Sequence, residues 1–126
     1  MRALGSRLGA ELRAGDIVLL IGELGAGKTT LVRGVLEGYG VLEPVRSPTF
    51  NLIQVFDTDP PVMHADLYRL TGAEGVGLEE YFDTHVCLIE WPDRAEAVLP
   101  ETGTWRVKIE FDGDGRLVHV IRPETY

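Results

Sequence analysis

Gly22-Glu23-Leu24-Gly25-Ala26-Gly27-Lys28-Thr29 matches the pattern G-x-x-x-x-G-K-[ST] at every defined position. Its flanks give the match weight. Ile17-Val18-Leu19-Leu20-Ile21 reads as a buried strand before it, and Thr30-Leu31-Val32-Arg33 opens a helical pattern after it. Strand, loop and helix in this order make a phosphate-binding P-loop. Glycines are needed where backbone N–H groups turn toward phosphate oxygens and a Cβ would collide with the ligand. The following helix contributes free N–H groups and the positive end of its dipole. Lys28 is placed to reach β- and γ-phosphates, and the Thr29 hydroxyl to hold Mg²⁺. Only two lysines, Lys28 and Lys108, stand against ten arginines. A purely structural cation at position 28 would more readily have been arginine.

A P-loop also needs an acid at the C-terminal end of a neighbouring hydrophobic strand, to help hold the metal and orient water. Two positions qualify: Asp66 follows Val62-Met63-His64-Ala65, and Glu90 follows Val86-Cys87-Leu88-Ile89. Ser47-Pro48-Thr49-Phe50 is a further candidate, because a loop hydroxyl after the P-loop helix can sense γ-phosphate or Mg²⁺ as switch loops do. His64, His85 and His119 show no metal-ligand spacing and read as ordinary packed or exposed histidines. The N-K-x-D signature of guanine recognition is absent, which argues against GTP.

Working outward from the loop, Leu4, Leu8 and Leu12 repeat every four residues and predict an amphipathic helix that ends at Ala14-Gly15. Leu31, Val32, Val35, Leu36 and Tyr39 mark the inward face of the helix after the loop. Gly34 weakens that helix by up to ~1 kcal/mol relative to alanine, so close packing on a strand is expected there. Residues 50–56 and 62–65 read as strands joined by the turn Asp57-Thr58-Asp59-Pro60-Pro61. Thr71-Gly72-Ala73-Glu74 has capping-box spacing and starts one or two short helices reaching Phe82. His85-Val86-Cys87-Leu88-Ile89 suits a strand buried on both faces, and residues 93–99 a short helix closed by Pro100. Trp105, Val107, Ile109 and Phe111 alternate with Arg106, Lys108 and Glu110 as in a half-exposed strand. Asp112-Gly113-Asp114-Gly115 turns it back into residues 117–121 as an antiparallel hairpin.

With 126 residues there is room for one domain, 1–126. No stretch approaches the roughly 18 apolar residues of a membrane span. Met1-Arg2-Ala3-Leu4-Gly5-Ser6-Arg7 lacks the apolar core of a signal peptide, and the single Cys87 cannot form an internal disulfide, so a cytoplasmic location is expected. A net charge of −8 with scattered basic residues repels phosphodiester backbones. Strong direct binding to nucleic acid is therefore not expected.

The motifs G-E-L-G-A-G-K-T-T (22–30), S-P-T-F (47–50), H-A-D-L-Y-R-L (64–70) and I-E-W-P-D-R (89–94) together resemble the TsaE family, also called YjeE. These are small bacterial P-loop ATPases required for forming threonylcarbamoyladenosine in tRNA. The resemblance covers nearly the whole chain in the family's motif order; the P-loop is generic, whereas the other three motifs together are specific. It implies ATP and Mg²⁺ as cofactors, with Gly22, Glu23, Leu24, Gly25, Ala26, Gly27, Lys28, Thr29, Thr30, Thr49 and Trp91 around the nucleotide. It further implies Thr29 and Glu90 on the metal, Asp66, Glu90 and Lys28 in catalysis, and the TsaB–TsaD pair as partners, with TsaD as the transferase. Family members usually carry a threonine-containing segment ahead of the first helix that contributes to the adenine pocket. This chain starts at Met1-Arg2-Ala3-Leu4, so adenine contacts are not carried over. The expected fold is a three-layer α/β P-loop NTPase with a mixed central sheet and an antiparallel C-terminal hairpin, monomeric alone and slow to hydrolyse ATP without partners. A small-molecule P-loop kinase and a nucleotide-sensing module are the alternatives.

Overall fold

A computed structural model of the chain describes residues 1–41, 53–68, 77–100 and 102–123. Its strands are β1 (Ile17–Gly22), β2 (Ile53–Phe56), β3 (Val62–Asp66), β4 (Val86–Glu90), β5 (Trp105–Asp112) and β6 (Gly115–Ile121). They form one sheet in the order β2-β3-β4-β1-β5-β6. β1 and β4 are apolar on both faces, and strands of that kind occupy the middle of an α/β sheet. β1 runs parallel to β4 and β5, and β3 runs parallel to β4. The edge strands β2 and β6 are antiparallel hairpin partners of β3 and β5. β5 shows the expected alternation as far as Ile109, with Trp105, Val107 and Ile109 buried, but Phe111 is 47% exposed where the strand runs past the core.

Two helices, α1 (Arg2–Gly9) and α2 (Lys28–Gly38), cover one face of the sheet. Leu8, Leu31 and Val35 pack there on Val18, Leu20, Val107 and Ile109. Gly34 packs closely against α1 and not against a strand, contrary to the expectation from its helix-weakening identity. A Cβ at Gly34 would sit 2.2 Å from the Arg2 carbonyl oxygen, and one at Gly5 would sit 2.3 Å from the Leu31 carbonyl oxygen. The two glycines therefore set the close crossing of α1 and α2. α1 also ends earlier than the leucine spacing predicts. After Gly9 the chain tightens through hydrogen bonds from Glu11 N–H to Leu8 and Leu12 N–H to Gly9, while the Tyr39 hydroxyl donates to the Gly9 carbonyl at 2.7 Å. Leu12 remains buried without being helical.

The opposite face carries Ile17, Leu19, Met63, Ala65, Cys87 and Ile89. Among the described residues its cover consists of two short 3₁₀ helices, Leu78–Tyr81 and Pro92–Ala95, in the two regions where short helices are expected. Segments this short cannot recover the entropy of nucleating an α-helix, and Leu78 and Ala95 reach the core from single turns. Residues 42–52 and 69–76 lie outside the described residues. So do Ser47-Pro48-Thr49-Phe50, the capping-box segment 71–74 and the first part of the strand expected from residue 50. No helix among the described residues is long and apolar enough to cross a membrane.

Candidate functional site

The four parallel strands end on the same side of the sheet, and the loop after β1 emerges there. This is where open α/β sheets bind ligands. Gly25 and Gly27 take φ of +81° and +116°. These values turn the loop back on itself and are strained for side chains with a Cβ. Gly27 is the N-cap of α2 and supplies no side-chain cap. The first-turn N–H groups of α2 thus face the pocket as anion donors.

Lys28 is 4% exposed. Its ammonium donates to the Gly22 carbonyl at 2.7 Å and sits 3.6 Å from the centroid of the Trp91 ring, a cation–π contact. Burial lowers its pKa from the ordinary lysine value, while the charges of Glu90, Asp66 and Asp93 pull the other way. Trp91 reaches this position because it takes the left-handed conformation, φ 59° and ψ 55°, directly after β4. A bulky residue there is held at a cost of about 1–3 kcal/mol.

Glu90 is 3% exposed at the end of β4. Its carboxylate oxygens accept from the Thr29 hydroxyl at 3.2 and 3.4 Å. Asp66 ends β3 beside it, in register with Glu90. Its Oδ1 accepts from Tyr68 N–H at 3.2 Å. Both acids proposed from strand-end logic thus meet at the mouth of the loop. A pocket of about 300 Å³ joins Gly25, Gly27, Lys28, Thr29, Thr30, Asp66, Glu90 and Trp91. Leu24 borders it too, at the exposed loop tip. Gly22 lies beneath Lys28, Glu23 accepts from Ala26 N–H within the loop, and Ala26 is buried. Thr49 lies outside the described residues. The donor set suits a hard divalent cation: a hydroxyl and a carboxylate, beside the backbone N–H groups at the start of α2, where phosphate would bind.

Sequence reasoning passed over two residues here. By spacing alone His64 reads as an ordinary packed histidine; it is fully buried, yet its Nε2 lies 2.6 Å from Glu90 Oε2. The available signal was its two-residue offset from Asp66, which puts both side chains on one face of a strand. Arg116 of β6 donates from Nε to the Ala26 carbonyl at 3.0 Å, tying the hairpin to the loop; no local pattern marks a contact across 90 residues. His85 bonds to Thr84 and packs edge-on to Tyr81, as an ordinary histidine would. A second cleft of about 840 Å³ opens from Gly22, Lys28 and Trp91 over Leu19, Ile21 and Arg106 on the other face of the sheet.

Comparison with known proteins places this geometry in a family. The family model for TsaE, threonylcarbamoyl adenosine biosynthesis protein, matches residues 1–118. The tRNA threonylcarbamoyladenosine biosynthesis protein TsaE of Streptomyces coelicolor is 44% identical over 119 residues, covering 89% of this chain and 78% of that protein. Its counterpart from Haemophilus influenzae is 41% identical over 110 residues, covering 83% and 69%. The crystal structure of Bacillus subtilis YdiB superposes with a TM-score of 0.79 at 34% identity, over 97% of this chain and 76% of that one. A match this long, spanning the loop, both strand-end carboxylates and the Trp91 turn, shows that the chain belongs to the TsaE family of threonylcarbamoyl adenosine biosynthesis proteins.

Proposed function

We propose that this protein is the Mg²⁺-dependent ATP-binding and ATP-hydrolysing component of tRNA threonylcarbamoyladenosine formation, acting with a TsaB–TsaD pair. The observation that carries the reading is the meeting of Thr29 and Glu90 at 3.2 Å, at the N-terminus of α2 and beside Lys28. In this reading the N–H groups of the loop and α2 bind the phosphates, and Lys28 leaves the Gly22 carbonyl to contact them. Thr29 and Glu90 hold Mg²⁺, which when bound neutralises phosphate charge and orients the terminal group. Asp66, one strand over, orients water or couples hydrolysis to the partner. Thr30 lies near the nucleotide, and Trp91 walls the site.

Tyr68, 42% exposed, packs on Trp91 with the rings tilted by 52° and their centroids 4.9 Å apart, and Leu24, 67% exposed, flanks the same pocket. Aromatic and apolar groups around a polar pocket form a surface suited to protein contact. The pocket is open, so water exclusion and further transition-state charge come from the partner. Steady-state ATP hydrolysis, measured for the protein alone and with TsaB–TsaD, tests the reading. Slow turnover alone, accelerated by the pair and blunted in Tyr68→Ala, is expected. Fast turnover that ignores the pair would refute the assignment. The 840 Å³ cleft that meets Lys28 would give the kinase alternative space for an acceptor. Phosphorylation of an added small-molecule acceptor would favour it.

A further inference from the structure

We propose that His64 is the positioning residue for the metal-binding carboxylate: it fixes Glu90 through one oxygen and keeps the group aimed at Thr29. The inference rests on the reading of Thr29 and Glu90 as the Mg²⁺ site.

A carboxylate that is almost fully buried loses its water, and it persists as an anion only where the protein supplies donors. Two described donors reach Glu90. The Thr29 hydroxyl, at 3.2 and 3.4 Å from the two oxygens, straddles the carboxylate without favouring one of them. His64 makes the short contact, 2.6 Å to Oε2 alone. A single strong bond to Oε2 fixes the rotation of the carboxylate plane and leaves Oε1 uncommitted to the imidazole. The sheet makes this placement rigid. β3 and β4 pair in parallel with His64 opposite Leu88 and Asp66 opposite Glu90. Val62, Val86 and Leu88 all pack into the core beneath α2, whereas Met63, Ala65, Cys87 and Ile89 pack on the other face. Strand alternation therefore sends His64 and Glu90 to the α2 side together, where Thr29 begins the helix.

The hydrogen bonding also selects the tautomer. Nδ1 of His64 is buried with no partner among the described residues. A proton on Nδ1 would be an unsatisfied buried donor, and a bare Nε2 would face a carboxylate lone pair. The proton therefore sits on Nε2 and is donated to Glu90. Outer residues that orient a metal ligand through such a bond typically change metal affinity or activity about 10–100-fold when removed.

Two measurements test this. The first is long-range ¹H–¹⁵N correlation on nucleotide-free, ¹⁵N-histidine-labelled wild-type protein, where a protonated Nε2 and a bare Nδ1 are expected for His64; the opposite tautomer overturns the proposal. The second is calorimetric titration of the non-hydrolysable ATP analogue AMP-PNP over a series of Mg²⁺ concentrations, with thermal melts in parallel. The variants are His64→Gln, whose amide nitrogen can occupy the Nε2 position, and His64→Asn, whose amide stops short of Glu90. His64→Asn should raise the Mg²⁺ concentration for half-maximal binding roughly 10–100-fold, with binding recovered at high Mg²⁺, and His64→Gln should stay near wild type. Wild-type Mg²⁺ dependence in His64→Asn, or equal shifts in both variants that follow their loss of thermal stability, would make His64 a structural residue and overturn the inference. Wild-type binding that is itself independent of Mg²⁺ would overturn the Thr29–Glu90 metal reading, and the inference with it.

Discussion

Gly34→Ala sets two effects of opposite sign against each other. On a helix with open space around it, the change stabilises by up to ~1 kcal/mol. In this fold the new Cβ would lie 2.2 Å from the Arg2 carbonyl oxygen and 2.9 Å from the Arg2 Cα. A close carbon–oxygen contact needs roughly 3.3–3.6 Å, so α1 must retreat by about 1 Å. The obstacle is backbone, and no rotamer change relieves it. Overpacking costs about 1–3 kcal/mol, and a backbone obstacle places this case in the upper part of that range, about 2–3 kcal/mol; after the ~1 kcal/mol helix-propensity gain a net loss of roughly 1–2 kcal/mol remains. For a chain of this size that is a fall in Tm of roughly 3–10 °C. Circular-dichroism melts and urea titrations of wild type and Gly34→Ala measure it, with the urea slope unchanged if the unfolded state is unaffected. Gly5→Ala should fall likewise, because its Cβ meets the Leu31 carbonyl oxygen at 2.3 Å. The double variant should lose less than the sum, since one helix retreat relieves both clashes. An unchanged or raised Tm in Gly34→Ala would refute the close crossing.

Lys28→Ala should retain the fold and lose about 1.5–3 kcal/mol of charge-assisted phosphate contact, a roughly ten- to hundredfold weaker AMP-PNP affinity by calorimetry; wild-type affinity would remove the P-loop assignment. Glu90→Ala should raise the Mg²⁺ concentration needed for hydrolysis, whereas Asp66→Ala should lower the rate at saturating Mg²⁺. Two variants with wild-type rate and Mg²⁺ dependence would reduce both acids to strand-end residues. Burial pushes the Cys87 thiol up to about 12, and burial followed by the Asp16 charge pushes the Tyr39 phenol up to about 12. The unfolded chain releases these protons near the ordinary values of 9.0 and 10.0. The associated stability is therefore full below about pH 9 and is lost as pH rises through about 12. Urea midpoints that stay flat from pH 8 to 11, or rapid thiol labelling of Cys87 in the native state near pH 8, would contradict the burial.

The sequence alone determined the parts of this protein whose physics is local. A strand, a glycine-bearing turn and a helix start are written within residues 17–33. The apolar runs that become β3 and β4 end in acids that can be named without knowing where the strands lie. The alternation in β5 and the glycine turn after it specify the C-terminal hairpin. What only the tertiary structure decided are relations between distant segments. Strand order put β4 between β1 and β3, and that order brings Glu90 to Thr29 and aligns it with Asp66. Gly34 looked like a helix defect because its reason, the Arg2 carbonyl, lies on another helix. His64 looked ordinary because a histidine acquires its role from what its nitrogens touch, and its partner is 26 residues away. Backbone preference and hydrophobic period act over a few residues and can be read along the chain. Hydrogen bonds to buried carboxylates and carbonyl-to-glycine approaches act over a few ångströms of space, and only the folded sheet brings their two halves together.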